Sequence, residues 1–80
     1  DKLLERLKRR PSDFTWDELS SLLSQFGFHV HKRGKTGGAR RRFIHKDLQP
    51  IILHKPHPKK ILKKYLIELV LDKLKQDKLI

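Results

Sequence analysis

Hydrophobic positions recur at helical spacing through the first third of the chain and then switch to strict alternation. Leu3, Leu4 and Leu7 stand among charged neighbours over residues 2–9, which predicts a short amphipathic helix ended by Pro11. Thr15-Trp16-Asp17-Glu18 has the form of a capping box. The Thr15 hydroxyl can accept from the Glu18 amide, and the Glu18 carboxylate from the Thr15 amide. Behind that cap Trp16, Leu19, Leu22, Leu23 and Phe26 share one helical face, and Gly27 suits the position just past the helix end. From Phe28 the period falls to two. Phe28 and Val30 alternate with His29 and His31, predicting a strand to about residue 33. Gly34-Lys35-Thr36-Gly37-Gly38 predicts a turn. Residues 40–45 read as a second strand and 50–54 as a third, joined by a tight turn near Asp47-Leu48, and Pro56 and Pro58 stop the third strand. Residues 59–64 are expected as a loop or a single helical turn. The last helix is expected over 66–78, with Ile67, Val70, Leu71 and Leu74 on its inner face.

The order is a short leading helix followed by α-β-β-β-α. Three antiparallel strands covered on one face by two helices make a two-layer α+β sandwich. Residues 1–12 form the extra N-terminal helical segment, and residues 13–80 the domain proper. At 80 residues the core is small, but the 36% hydrophobic content is clustered enough to build one. The absence of cysteine removes disulfides, thiolate metal sites and thiol chemistry together. No apolar run is long enough to span a bilayer, so no membrane partner is expected, and the cytoplasm is the expected location.

Charge changes the picture more than composition does. The net charge is +11, and residues 19–67 account for all of it, because twelve Lys and Arg there oppose Asp47 alone. The flanking segments balance. Uniform basicity can serve solubility, whereas a segregated cationic block is the footprint of a surface that binds a polyanion. Nucleic acid is therefore the expected partner.

Two constellations within this block carry candidate chemistry. The first is the glycine turn with Lys35, followed by Arg40, Arg41 and Arg42. Turn amides can approach phosphate oxygens closely, and guanidiniums bind them two-pronged. The GxxxxGK[ST] spacing of a nucleotide-phosphate loop is absent, so the alternative is an ordinary hairpin turn beside a solvated strand. Alternation places Arg40 and Arg42 on one strand face and Arg41 on the other with Phe43 and His45, so at most two arginines line one surface.

The second constellation is His54-Lys55-Pro56-His57-Pro58-Lys59-Lys60. Strand scission of RNA needs two proton transfers: a base takes the 2′-hydroxyl proton, and an acid supplies one to the leaving 5′-oxygen. Imidazoles suit both steps, while cations such as Lys55, Lys59 and Lys60 steady the phosphorane. His57 is the first candidate proton carrier and His54 the second; the bland reading makes His54 a strand end and His57 a packed loop residue. His29, His31 and His45 lack a carboxylate or thiolate to complete a metal site, and the positive charge opposes one, so no metal or other cofactor is expected. Trp16, Phe26, Phe28 and Phe43 are placed as core residues.

These segments also follow one another in a familiar order. Phe14-Thr-Trp-Asp-Glu-Leu, Phe26-Gly-Phe28, Lys35-Thr-Gly-Gly-Ala-Arg-Arg-Arg-Phe43, Ile52-Leu-His-Lys-Pro-His-Pro58 and Leu62-Lys-Lys-Tyr65 together resemble the HicA toxins of bacterial type II toxin–antitoxin systems, in a branch with an LHKPHP segment. The resemblance spans about residues 13–78. It implies a fold similar to the double-stranded RNA-binding domain, an mRNA-cleaving activity and neutralisation by a HicB-type antitoxin. Such toxins commonly carry Gly-Ser-His at the start of the second strand, with that histidine taken as catalytic. Gly38-Ala39-Arg40 stands there in this chain, so the catalytic residue does not carry over. Three readings stay open: chemistry at His57 or His54, phosphate binding alone at Arg40, or RNA binding without cleavage.

Overall fold

The computed structural model describes residues 2–31 and 40–80. The elements are α1 (Lys2–Lys8), α2 (Trp16–Gln25), β1 (His29–His31), β2 (Arg40–Ile44), β3 (Ile51–His54) and α3 (Lys64–Gln76). The strands form one antiparallel sheet in the order β1-β2-β3. This is the expected two-layer α+β arrangement, consistent with a double-stranded RNA-binding-domain-like fold. The predicted glycine turn with Lys35, and the predicted end of the first strand at Lys32 and Arg33, lie outside the described residues. Among the described residues no helix is long and apolar enough to cross a membrane.

Sixteen apolar side chains are buried in one cluster, and no polar or charged side chain is buried with them among the described residues. The inner sheet face contributes Phe43, Ile51 and Leu53, and the helices contribute the stripes Trp16, Leu19, Leu22, Leu23 and Leu66, Ile67, Val70, Leu71, Leu74. Leu7 of α1 is fully buried in the same cluster. With nothing polar inside, the sheet has one dry face and one wet face.

Helix ends account for several boundaries. The capping box forms as predicted: the Glu18 amide donates to Thr15 Oγ1 at 3.1 Å, and the Thr15 amide donates to Glu18 Oε1 at 2.9 Å. At the other end of α2, Gly27 has φ +92°, the Gly27 amide donates to the Ser24 carbonyl at 3.0 Å, and the Phe28 amide to the Leu23 carbonyl at 2.9 Å. That pairing is a Schellman motif, and it turns the chain directly into β1. The end of α3 repeats it with Lys78 at φ 58° in place of glycine; the Lys78 amide meets the Lys75 carbonyl and the Leu79 amide the Leu74 carbonyl. At α1, Arg10 takes the same left-handed conformation, and Pro11 follows with no N–H to give.

The 59–64 segment is neither a loop nor a helical turn throughout. Ile61 bridges Thr15 in antiparallel fashion, the Trp16 amide donates to the Lys60 carbonyl at 2.9 Å, and the Leu62 amide donates to the Phe14 carbonyl at 2.8 Å. Leu62 is buried while Ile61 is 38% exposed, the alternation of an extended strand. Hydrogen bonding to a partner far away in sequence overrides the local preference of this lysine-rich stretch. α3 consequently starts at Lys64, two residues before the predicted start, and its N-cap Lys63 makes no side-chain capping bond.

Two ion-pair groups tie α1 to the rest. Arg6 spans Glu18 (Nε to Oε2, 3.0 Å) and Asp13 (Nη2 to Oδ1, 3.0 Å), and its guanidinium lies 5.5 Å from the centre of the Phe14 ring. Arg10 forms a two-pronged pair with Glu68 of α3. The Arg6 hydrogen bonds, followed by the Thr15 amide, hold the Glu18 carboxyl below the usual carboxylate range. Arg10 does the same to Glu68.

Two stability predictions follow from these contacts. A depressed native pKa means that the stabilisation is fully present above the unfolded value, roughly 4.3, and is lost as pH falls through the native value. The melting temperature should therefore drop on acidification below that value, and the drop should shrink in Glu18→Gln; an unchanged acid limb in that variant would remove the pair from the account. At the helix ends, Gly27→Ala should destabilise by about 1–2 kcal/mol, since φ is positive and the new Cβ would meet His45 Nε2 at 3.0 Å. Lys78→Gly should move stability the other way, by about 1 kcal/mol or less. Urea midpoints of the two variants give both signs.

Candidate nucleic-acid interface

Period-two alternation in the three strands sorts the cationic block. Phe43 is buried, so Arg42 and Arg40, one and three residues before it and in the opposite phase, face outward, while Arg41, two residues before it, shares the helix-covered side with Phe43. β1 exposes His29 and His31, as the sequence reading expects, and β3 exposes Ile52 and His54. The outer sheet face thus carries His29, His31, Arg40, Arg42, Ile44, Ile52 and His54, with no carboxylate among them.

Strand register sets which of these are neighbours. Arg40 pairs across with His54, Arg42 pairs with Ile52 on one side and His31 on the other, and Ile44 pairs with His29. Directly opposed side chains on one face start from Cβ atoms about 5 Å apart. Arg40 and His54 can therefore reach a single phosphate together. His31 and Arg42 can do the same one row along. The face presents these cations without burying any of them.

The remaining candidates are distributed around this face. Lys55 is half-buried directly after His54, and His57, Lys59 and Lys60 are exposed on the segment that leaves β3. That segment is anchored at its far end, where the Lys60 carbonyl accepts from Trp16 at the start of α2. Arg41 is half-buried on the opposite side from Arg40 and Arg42, and its Nη1 donates to the Arg40 carbonyl at 3.1 Å. The structure therefore brings Arg40, Arg42 and His54 onto one face and sets Arg41 apart from them.

His45 has a different task from the other imidazoles. Its Nδ1 accepts from the amides of Asp47 at 3.0 Å and Leu48 at 3.2 Å, closing the turn between β2 and β3. Its ring packs at a tilt against Phe28, with centroids 4.9 Å apart, and fills the space beside Gly27. Those bonds occupy the lone pair that a metal would take. Sequence reading missed two outward apolar residues, Ile44 and Ile52, which follow from strand phase once Phe43 is known to be inside. Ile44 stands opposite His29 and Ile52 opposite Arg42.

Comparison with known proteins agrees with this architecture. The family model described as HicA toxin of bacterial toxin-antitoxin matches residues 16–79, from the first residue of α2 to just past the end of α3. No curated protein and no solved structure matches the chain. Because the matched span contains the sheet, both covering helices and the cationic face, the chain belongs to the HicA toxin family and is the toxin member of a toxin–antitoxin pair.

Proposed function

We propose that this toxin binds mRNA on the open face of its sheet, cleaves it without a metal, and is neutralised by a HicB-type antitoxin that covers the same face with acidic side chains. The observation that carries the reading is the Arg40–His54 cross-strand pair on a face free of carboxylates. Arg40 and Arg42 hold the phosphates there, Lys55, Lys59 and Lys60 extend the cationic track, and Lys35 adds a further phosphate ligand, while Arg41, on the helix-covered side, is left out of the contact. A phosphate resting between Arg40 and His54 has an imidazole within reach of its ester oxygens.

In the cleavage step one imidazole takes the 2′-hydroxyl proton as that oxygen attacks phosphorus. A second protonates the 5′-oxygen as the P–O bond breaks, leaving a 2′,3′-cyclic phosphate and a 5′-hydroxyl. His57 and His54 fill these two roles. The guanidinium of Arg40 stabilises the extra charge on the pentavalent phosphorus. His57 stands between Pro56 and Pro58, whose fixed φ angles restrict the backbone that carries it. A second reading, RNA binding without cleavage, is favoured by Gly38-Ala39-Arg40 standing where related toxins have Gly-Ser-His.

Binding and chemistry are tested separately. If about four to six phosphates are neutralised, log K for single-stranded RNA should fall against log salt with a slope of roughly −3 to −4, and joint Arg40→Gln and Arg42→Gln should flatten it by roughly one to two units. A slope near zero in the parent protein would contradict nucleic-acid binding. For the chemistry, a defined RNA incubated in EDTA should be cut, and His57→Ala should slow cutting by about 10²–10⁴-fold with RNA affinity within a few fold of the parent. His54→Ala should slow it less. Binding with no cutting by the parent would select the second reading.

A further inference from the structure

The free edge of the sheet carries a second surface, opposite in character to the first. β3 is last in the strand order and, among the described residues, pairs only with β2. Alternate residues of Ile51–His54 therefore turn their N–H and C=O groups away from the sheet. An unpaired edge of this kind is a template for another strand unless something covers it. Between this edge and α3 runs an open groove lined by Ile52, Tyr65 and Leu69 together with the carboxylates Glu68 and Asp72.

Three features of the groove stand out. Tyr65 is 62% exposed, Leu69 44% and Ile52 42%, the three most exposed large hydrophobic side chains among the described residues. Tyr65 and Leu69 are four apart on α3, so they lie on one helical face, outside the buried stripe of Leu66, Ile67, Val70, Leu71 and Leu74. The groove also holds Asp72, with Glu68 paired to Arg10 and Lys73 paired to Asp77 beside it, whereas the open sheet face holds no carboxylate. With Asp72 as its one carboxylate outside these pairs, the groove suits an apolar protein segment carrying a basic residue better than a phosphate backbone.

We propose that this groove is the anchoring site of the antitoxin. An extended antitoxin segment pairs with the free edge of β3, sets apolar side chains against Ile52, Tyr65 and Leu69, and places a basic residue beside Asp72. Family membership supplies the existence of a partner protein; the proposal rests on the reading that this partner is a HicB-type antitoxin and adds where it is anchored. β3 is only four residues long, with Pro50 before it and Pro56 beyond it, so backbone pairing is brief and the apolar contacts must supply much of the affinity. The antitoxin is then held in two ways: by ion pairs over the cationic face, which salt weakens, and by the groove, which salt hardly touches.

The test uses the full-length toxin, its HicB-type antitoxin and a single-stranded RNA. Tyr65→Ser combined with Leu69→Lys alters outward positions, and an unchanged melting temperature confirms that the fold is kept. This variant should lose antitoxin affinity by about tenfold or more at about 0.5 M salt, where ion pairs are screened, while RNA affinity stays within about twofold. Hydrogen exchange in the parent complex should slow at residues 51–54. Antitoxin affinity within about twofold of the parent would overturn the groove assignment, as would a loss of RNA affinity instead, which would make the groove a base-binding site. Joint Arg40→Gln and Arg42→Gln separates the two ideas. If that variant loses the antitoxin and the groove variant does not, occlusion of the cationic face stands and the groove falls. If the parent does not bind the antitoxin, both fall.

Discussion

Phe43 lies in the core against Trp16, with ring centroids 5.6 Å apart, and this contact fixes which side of β2 faces water. A strand has a side-chain period of two, so a slip of one residue would bring Arg42 inside and put Phe43 in solvent. Burying an unpaired guanidinium costs several kcal/mol, on the order of what truncating a buried phenylalanine costs. The two penalties act in the same direction. Register in turn sets every cross-strand pair of the site, including Arg40 with His54 and Arg42 with both Ile52 and His31. The function of the open face follows from one aromatic residue on the other.

The core permits this division because, among the described residues, no polar side chain is buried in it. Each polar need near it is met at the margin: the α2 amides by Thr15 and Glu18, the turn amides of Asp47 and Leu48 by His45, and the α2 end by the Schellman pairing at Gly27. α1 joins through Leu7 inside and through Arg6 and Arg10 outside. Exposed pairs of this kind contribute little individually. Here they set the angle of approach of a short helix that could not persist alone. Five of the acids outside the middle, Glu5, Asp13, Glu18, Glu68 and Asp77, thus sit in ion pairs near the ends, and Asp47 alone opposes the bases of the middle.

Much of this was legible before any coordinates. Periodicity gave the order of elements, the capping box and the inner faces of the helices, because each rests on neighbours within a few residues. The alternation of Arg40, Arg41 and Arg42 was visible too, but not which phase faced out, since that depends on Phe43 meeting Trp16 across 27 positions of sequence. The bridge from Ile61 to Thr15 was invisible for the same reason. His45 read only as a strand residue in phase with Phe43 and as a member of a rejected metal set, and only the geometry of the turn gave it a structural task. Tyr65 and Leu69 read as helix residues off the inner stripe; their place beside an uncovered strand edge needed the sheet order.

In the proposed scheme two surfaces divide the work: a carboxylate-free sheet face for a polyanion, and an apolar edge groove with Asp72 for a protein. In the proposed binding mode strand phase, rather than total charge, decides which arginines meet RNA. Arg40→Gln, Arg41→Gln and Arg42→Gln remove the same charge from three adjacent positions, so the salt dependence of single-stranded RNA binding compares them directly. Arg40→Gln and Arg42→Gln should each reduce the magnitude of the slope by about 0.7, and Arg41→Gln should leave it close to the parent value. Equal losses at all three positions would contradict the account.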